Sequence, residues 1–477
     1  MGSLATTDWE EVDERLFGEI IWSHSQRAKR QGTFAIGVDT RPHGSNACGI
    51  GSLERRYPGR DFQSCRHRSG CCANWRGATG TRTAPGSRHS SQERFAPSYR
   101  IGMLRDISWR HFDFWLLGAI VLASAFGVAM IRSAIAGNEV LLPLVARQLY
   151  FALLGLAVIF VVGVIDYRYW TSLYIPMYIV MSVLLFALFL SAQAVFGAAR
   201  WFSIGVLFLQ PTEFAKIVII LILARYFEKS KDRPRDLRWI AFSLLWVWGL
   251  TIWILLQPNL SNVVVITVIW FTLVWLNGLQ VKHLVVFGSI GVVALSIVTG
   301  MIVAGLRLPF LQQYQQDRIA NFLFPDETAT FGATYNVQQA LIAIGSGGLF
   351  GKGYGHGSQT QLRFLKVRHT DFIFSAVSEE FGMIGGFIVV AVLAFIIWRC
   401  IRAAQRARDV SGSVIAYGVA VLIFFQGAVN IGVNMNIVPV SGLPLPFISY
   451  GGSGLTALML GIGLVESVAL RHKSLDF

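Results

Sequence analysis

Four stretches of this chain put ionisable or irregular polar residues among apolar ones, where they can do chemistry. In ARWFSIGVLFLQPTEFAK (Ala199 to Lys216), Glu213 and Lys216 are spaced i, i+3, so on a helix they share a face and can pair. Such a pair is either a buried strut between helices, or Lys216 joins Arg200 in a polar cavity that holds an anionic headgroup. In LRFLKVRHTDFIFSAVSEEFG (Leu362 to Gly382), Arg363, Lys366, Arg368 and His369 crowd ahead of an apolar run. Thr370 is placed to cap that run and Asp371 sits in its first turn. Glu379 and Glu380 lie about two turns deeper. A basic rim above buried acids fits a pyrophosphate site at a membrane surface or anchoring to lipid headgroups. In FPDETATFGATYNVQQALIAIGSGG (Phe324 to Gly348), Asp326 and Glu327 stand side by side ahead of a half-apolar segment. In VNMNIVPVSGLPLPFISYGGSG (Val433 to Gly454), crowded prolines and glycines specify irregular backbone. Irregular backbone at membrane depth is tolerated where protein buries it or a cavity solvates it, so a re-entrant loop is expected there.

The elements that position these groups are membrane spans. The chain has 477 residues, 54% hydrophobic and 14% charged, too little polar matter for a soluble protein of this size. The net charge of +14 does not point to nucleic acid, because past residue 102 the basic residues gather mostly at the ends of apolar runs. Ten runs are long enough to cross a bilayer: 112–132, 146–165, 171–191, 211–228, 237–257, 260–277, 283–305, 371–398, 413–433 and 446–469. Between the fifth and sixth, Pro258 ends one helix and Asn259 is placed to cap the next. Between Tyr335 and Ile344, Val337, Leu341 and Ile344 share one face, as in a short helix lying in the membrane interface.

Basic loops such as 229–238 and 399–408 alternate with weakly charged ones such as SAIAGNEVLLP and NIVPVSGLPLP. The positive-inside rule then places both termini in the cytoplasm and the long 306–370 segment outside. The expected fold is an all-α polytopic integral membrane protein with ten transmembrane helices and a large extracellular loop between spans seven and eight.

Residues 1–102 are different material. They hold four of the five cysteines and no apolar period. The cysteines of CRHRSGCC fit no zinc spacing, so these residues are expected to be a disordered tail or the product of an early start codon, with the membrane domain running 103–477. No phosphate-cradling, dinucleotide or zinc-protease motif is present.

RWFSIGVLFLQPTEFAK, QALIAIGSGGLFGKGYGHGSQTQLRFLKVRHTDFIFSAVSEEFG and PVSGLPLPFISYGGSG, in this order, resemble the SEDS family (shape, elongation, division and sporulation). The resemblance runs from about Met103 to the end and is closer to the elongation branch than to the division branch. It implies a ten-helix glycosyltransferase of the bacterial cytoplasmic membrane that polymerises lipid II outside that membrane. It also implies a class B penicillin-binding protein as partner. Ser449 joins the candidate substrate residues through the third motif. Three departures from the family pattern stand out: Asn259 replaces an Asp, Leu365-Lys366-Val367 replaces Leu-Pro-Glu, and Ala329 stands where the family has its essential Asp. Either the acid has moved to Asp326 or Glu327, or the enzyme is impaired.

Joining a sugar hydroxyl to an anomeric carbon that leaves a lipid pyrophosphate needs a general base and positive charge. Asp326 or Glu327 is the candidate base. Arg200, Lys216, Arg363, Lys366 and Arg368 are the candidate charge, with His369, Glu213, Asp371, Glu379 and Glu380 in the same polar zone. No metal motif is present, although a divalent cation, magnesium or manganese, can share the work. A lipid-linked precursor flippase and a non-catalytic scaffold for the transpeptidase are the competing functions.

Overall fold

The computed structural model describes residues 111–136, 141–194, 201–204, 207–304, 306, 313–325 and 333–471. The tail, Arg200, Asp326, Glu327 and Ala329 therefore lie outside the described residues.

Apolar sequence and capping together set the helices. Helix α1 (Phe114–Ile135) starts at Asp113, whose carboxylate accepts the Leu116 N–H at 3.1 Å. Helix α2 (Pro143–Val164) begins on a proline, and a short α3 (Tyr167–Ser172) leads into α4 (Tyr174–Ala194). Two three-residue strands, β1 (Phe202–Ile204) and β2 (Leu207–Leu209), form an antiparallel hairpin with Phe202 opposite Leu209. Then come α5 (Pro211–Lys229), α6 (Leu237–Leu256), α7 (Leu260–Leu276) and α8 (Val281–Val303). The segment after α8 contributes α9 (Gln313–Leu323), α10 (Ala333–Gly347) and α11 (Ser358–Gln361). The chain closes with α12 (Ile373–Gln405), α13 (Val410–Asn434) and α14 (Gly452–Leu470).

Among the described residues, eight helices are long and apolar enough to cross a membrane. The other two expected spans are α7, which is apolar but only 17 residues long, and α5, whose charges interrupt its apolar character. Much of the bundle's outer surface is apolar: α8 alone exposes Val285, Ile290, Val293 and Ile297. Such a surface is suited to hydrocarbon, not to water. The protein core is built on α5, α13 and α14, whose faces are buried nearly all round. Helices α14 and α2 lie so close that a Cβ at Gly155 would overlap the Met459 side chain. Small residues of this kind let helices meet tightly in a membrane.

Helix α12 is broken at Gly382, whose φ of 68° is left-handed. The break is filled from outside. The N–H groups of Lys352 and Gly353 donate to the carbonyls of Glu379 and Glu380 at 3.0 and 2.9 Å. The N–H groups of Met383 and Ile384 donate to Gly348 and Leu349 at 2.9 and 3.3 Å. The glycine-rich strip 348–353 thus satisfies the backbone groups that the break frees.

Four sequence expectations change. The last helix starts at Gly452 instead of residue 446, because Pro444 and Pro446 belong to the irregular stretch that precedes it. Thr370 does not cap α12: the helix starts at Ile373, after Asp371, and the Thr370 hydroxyl donates to the Val367 carbonyl at 3.2 Å. Asn259 occupies the cap position of α7 without a side-chain bond. Helix α10 packs against α12 and buries Val337, Ala340 and Ala343, with Val337 and Ala340 clustering on Leu365, Phe372 and Val433, while Leu341 is exposed, because neighbouring protein and not only lipid covers that helix.

Candidate functional site

A cavity of about 800 Å³ opens between α2, α5, α7, α9, α13 and the irregular stretch 435–451. Its walls are mostly valine, proline, leucine and aromatic side chains, into which a few polar groups project. The cations are Arg147 from α2 and Arg318 from α9; the acids are Glu213 at the start of α5 and Asp371 just ahead of α12. Gln210, Asn259, Ser261, Asn262 and Gln315 add amides and a hydroxyl, and Trp201 and Tyr450 add aromatic faces. An apolar cleft with few converging polar groups is the usual form of a small-molecule site. Two guanidiniums add the bidentate geometry that phosphates accept.

Glu213 reaches the cavity because Pro211 starts α5 at its rim and puts Glu213 in the first turn. Lys216 stands 2.8 Å from its carboxylate and also donates to Asn262 Oδ1 at 3.2 Å. The ammonium is 1% exposed and does not line the cavity. The pair is therefore a buried strut whose acidic end forms part of the wall. The strut joins α5 to α7 through Asn262, which also turns its amide nitrogen toward the Thr212 hydroxyl at 3.5 Å.

Asp371 is partly buried in the wall, beside Gly442. Burial pushes its carboxyl above the ordinary carboxylate range, and Arg318 pulls it the other way. The His369 ring lies tilted against that of Tyr450, with centroids 6.0 Å apart, and its carbonyl accepts the Tyr450 N–H at 2.9 Å. Burial and the neighbouring Arg368 push the imidazole below its ordinary value.

The other expected site residues point elsewhere. Arg368 is buried and gives its guanidinium to the carbonyls of Ala134 and Leu365. It thereby satisfies the free end of α1. Arg363 and Lys366 are exposed and do not line the cavity. Glu379 is fully buried, and its two oxygens accept from Lys352, the Gln359 N–H at 2.8 Å and both donors of Thr360. It ties α11 to α12. Glu380 accepts from the Ser133 hydroxyl at 2.5 Å and ties α12 to α1. Of the expected basic rim over buried acids, Arg368, Glu379 and Glu380 are fasteners, because a desolvated charge pairs with the polar groups packed against it. Ser449 is a clasp as well: its hydroxyl donates to the Thr370 carbonyl at 2.6 Å and accepts the Leu445 N–H at 2.9 Å.

Sequence reasoning missed Arg147, Gln210, Gln315, Arg318 and Tyr450. Arg147 carried a readable signal, an arginine just inside an apolar run. Arg318 did not, since it sits in a polar stretch, QYQQDRIANFL, that reads as loop.

Fold and site define a polytopic membrane protein with a polar-studded cleft fit for an amphipathic anion. The chain belongs to the FtsW/RodA/SpoVE cell cycle protein family, whose model matches residues 106–474. It is 33% identical over 366 residues to the peptidoglycan glycosyltransferase MrdB of Escherichia coli strain K12, covering 77% of this chain and 95% of that one. It is similar to a chain from a peptidoglycan synthase complex solved to explain the coordination of polymerization and crosslinking. That match has 29% identity and a TM-score of 0.63, over 76% of this chain and 99% of the other. The rod shape-determining protein RodA of Thermus thermophilus matches at 30% identity with a TM-score of 0.55, over 76% of this chain and 97% of its own.

Proposed function

We propose that this protein is a peptidoglycan glycosyltransferase of the bacterial cytoplasmic membrane. It polymerises lipid II into glycan strands on the outer face and releases undecaprenyl pyrophosphate, in step with a class B penicillin-binding protein that crosslinks the product. Both termini lie in the cytoplasm, and α5 and α7 complete ten spans. The observation that carries this reading is the cavity, which sets Arg147, Arg318, Glu213 and Asp371 into apolar walls in a chain of this family.

The apolar wall accommodates the lipid-proximal part of the substrate. Arg147 and Arg318 face the diphosphate and steady the charge that grows on it as the bond from the anomeric carbon breaks. The acceptor hydroxyl forms the new bond to that carbon and gives its proton to a general base. Asp326 is the first choice for the base and Glu327 the second; both precede α10 on the outer segment. A bound divalent cation, magnesium or manganese, would supply further positive charge at the diphosphate. Among the described residues no three histidine, cysteine or acidic side chains converge to hold it.

The test is polymerisation of labelled lipid II by the purified full chain, with and without its transpeptidase partner. Glycan strands on a gel are the expected result. Transbilayer movement of lipid II in vesicles without polymer would make the chain a flippase. Stimulation of the partner's crosslinking by a chain that makes no polymer would make it a scaffold.

A further inference from the structure

Two asparagines that do not line the cavity hold its wall together. Asn430 and Asn434 lie one turn apart on α13 and are buried, at 1% and 0% exposure. The Asn430 amide nitrogen donates to two carbonyls at once, Asp371 at 3.0 Å and Leu443 at 2.8 Å. The Asn434 amide nitrogen donates to the same Asp371 carbonyl at 2.9 Å and to Asn430 at 2.8 Å. Its oxygen accepts the Ser375 N–H at 3.1 Å and the Ser375 hydroxyl at 2.6 Å.

The residues they grip are functional in position. Asp371 and Leu443 both line the cavity, one just ahead of α12 and one in the irregular stretch. Neither carbonyl sits in a helix, so no i→i−4 donor serves it. Helix α12 has no side-chain cap of its own, and Asn434 supplies one from α13 by accepting the Ser375 N–H. Ser449 pins the adjoining Thr370 carbonyl from the far side. A buried amide costs free energy unless its hydrogen bonds are made. Here those bonds join α12, α13 and the irregular stretch at the point where the Asp371 side chain enters the cavity.

We propose that Asn430 and Asn434 are positioning residues that, by gripping the backbone of Asp371, hold its carboxylate in place in the cavity wall for the reaction. This rests on the glycosyltransferase reading above. Asp371 contacts the substrate; the asparagines act through it. Misplacing a group by about 1 Å can cost on the order of 10² in rate.

The test is a double-mutant cycle on the full chain with its transpeptidase partner, read as lipid II polymerisation. Asn434→Ala and Asn430→Ala are expected to lower kcat by roughly 10- to 100-fold while KM moves far less. In an Asp371→Asn background, whose residual rate is read in long incubations, the same substitutions are expected to cost almost nothing more, because there is no carboxylate left to place. If an asparagine variant fails to fold, Ser449→Ala, which removes one hydroxyl from the same strip, is expected to couple to Asp371→Asn in the same sense. Unchanged kcat in Asn434→Ala, or losses that multiply with Asp371→Asn, would overturn the inference and leave the enzyme reading standing. A wild-type protein that makes no polymer would overturn both.

Discussion

Lys216 Nζ lies 2.8 Å from Glu213 Oε2, and the two side chains are shut away from solvent at 1% and 6% exposure. A charge left alone at that depth is costly, and removing one partner of a buried pair typically costs about 3–5 kcal/mol. Glu213→Ala and Lys216→Ala are each expected to cut folded yield and activity sharply. The double variant is expected to lose less than the sum, because it buries no orphan charge. Thermal melts of the four proteins check this, and strict additivity would show that the pair is not coupled.

Asp371→Asn separates stability from function. Burial raises the Asp371 carboxyl above its unfolded value, so the folded state favours the neutral form. As pH rises through the folded value, ionisation then costs stability. The Asn variant escapes that cost. It is expected to melt at the same temperature as wild type or higher at pH 8, with the difference closing as pH falls toward the ordinary carboxylate range. Its polymerisation rate is expected to drop all the same. A variant that melts well below wild type at pH 8 would contradict the assignment.

His369 predicts the opposite slope. Its imidazole is held below its unfolded value by burial and by Arg368, so the unfolded chain binds the proton more readily. Stability from this group is present above about pH 6.5, the ordinary imidazole value, and is lost as pH falls through the folded value. The melting temperature of the wild type is expected to fall between pH 7 and pH 5. His369→Gln is expected to flatten that part of the curve.

Gly382→Ala tests the broken helix. Its left-handed φ of 68° strains any L side chain, and a Cβ there would run into the backbone of Leu349 and Gly351. Left-handed strain alone costs of order 1–3 kcal/mol. The variant is expected to expose the 348–353 strip to limited proteolysis at temperatures where wild type resists.

Asp326→Asn is expected to slow polymerisation by about 10²–10⁴ while leaving expression and partner binding unchanged. If it polymerises normally and Glu327→Gln does not, the base is one residue further along. If the double variant keeps full activity, the base is not in the outer segment, and Asp371 in the cavity wall is the next to test.

Residue order alone was enough for the membrane class, the long apolar helices and the Glu213–Lys216 spacing. Long apolar runs have no other stable form in lipid, and i, i+3 spacing follows from helical pitch alone. It also marked Val433 to Gly454 as irregular, since three prolines there remove backbone donors wherever they fall. Which polar residues meet depends on packing between distant parts of the chain. Glu379, Glu380, Arg368 and Ser449 read as site residues by charge or motif, yet each is taken by a neighbouring backbone or hydroxyl that lies far off in sequence. Arg147 and Arg318 meet across one cavity although 171 positions separate them in the chain. Asn430 and Asn434 look like ordinary polar breaks in an apolar helix until Asp371 and Leu443 are packed against them. A buried polar group takes whichever partner packing supplies, and local sequence carries no record of that partner.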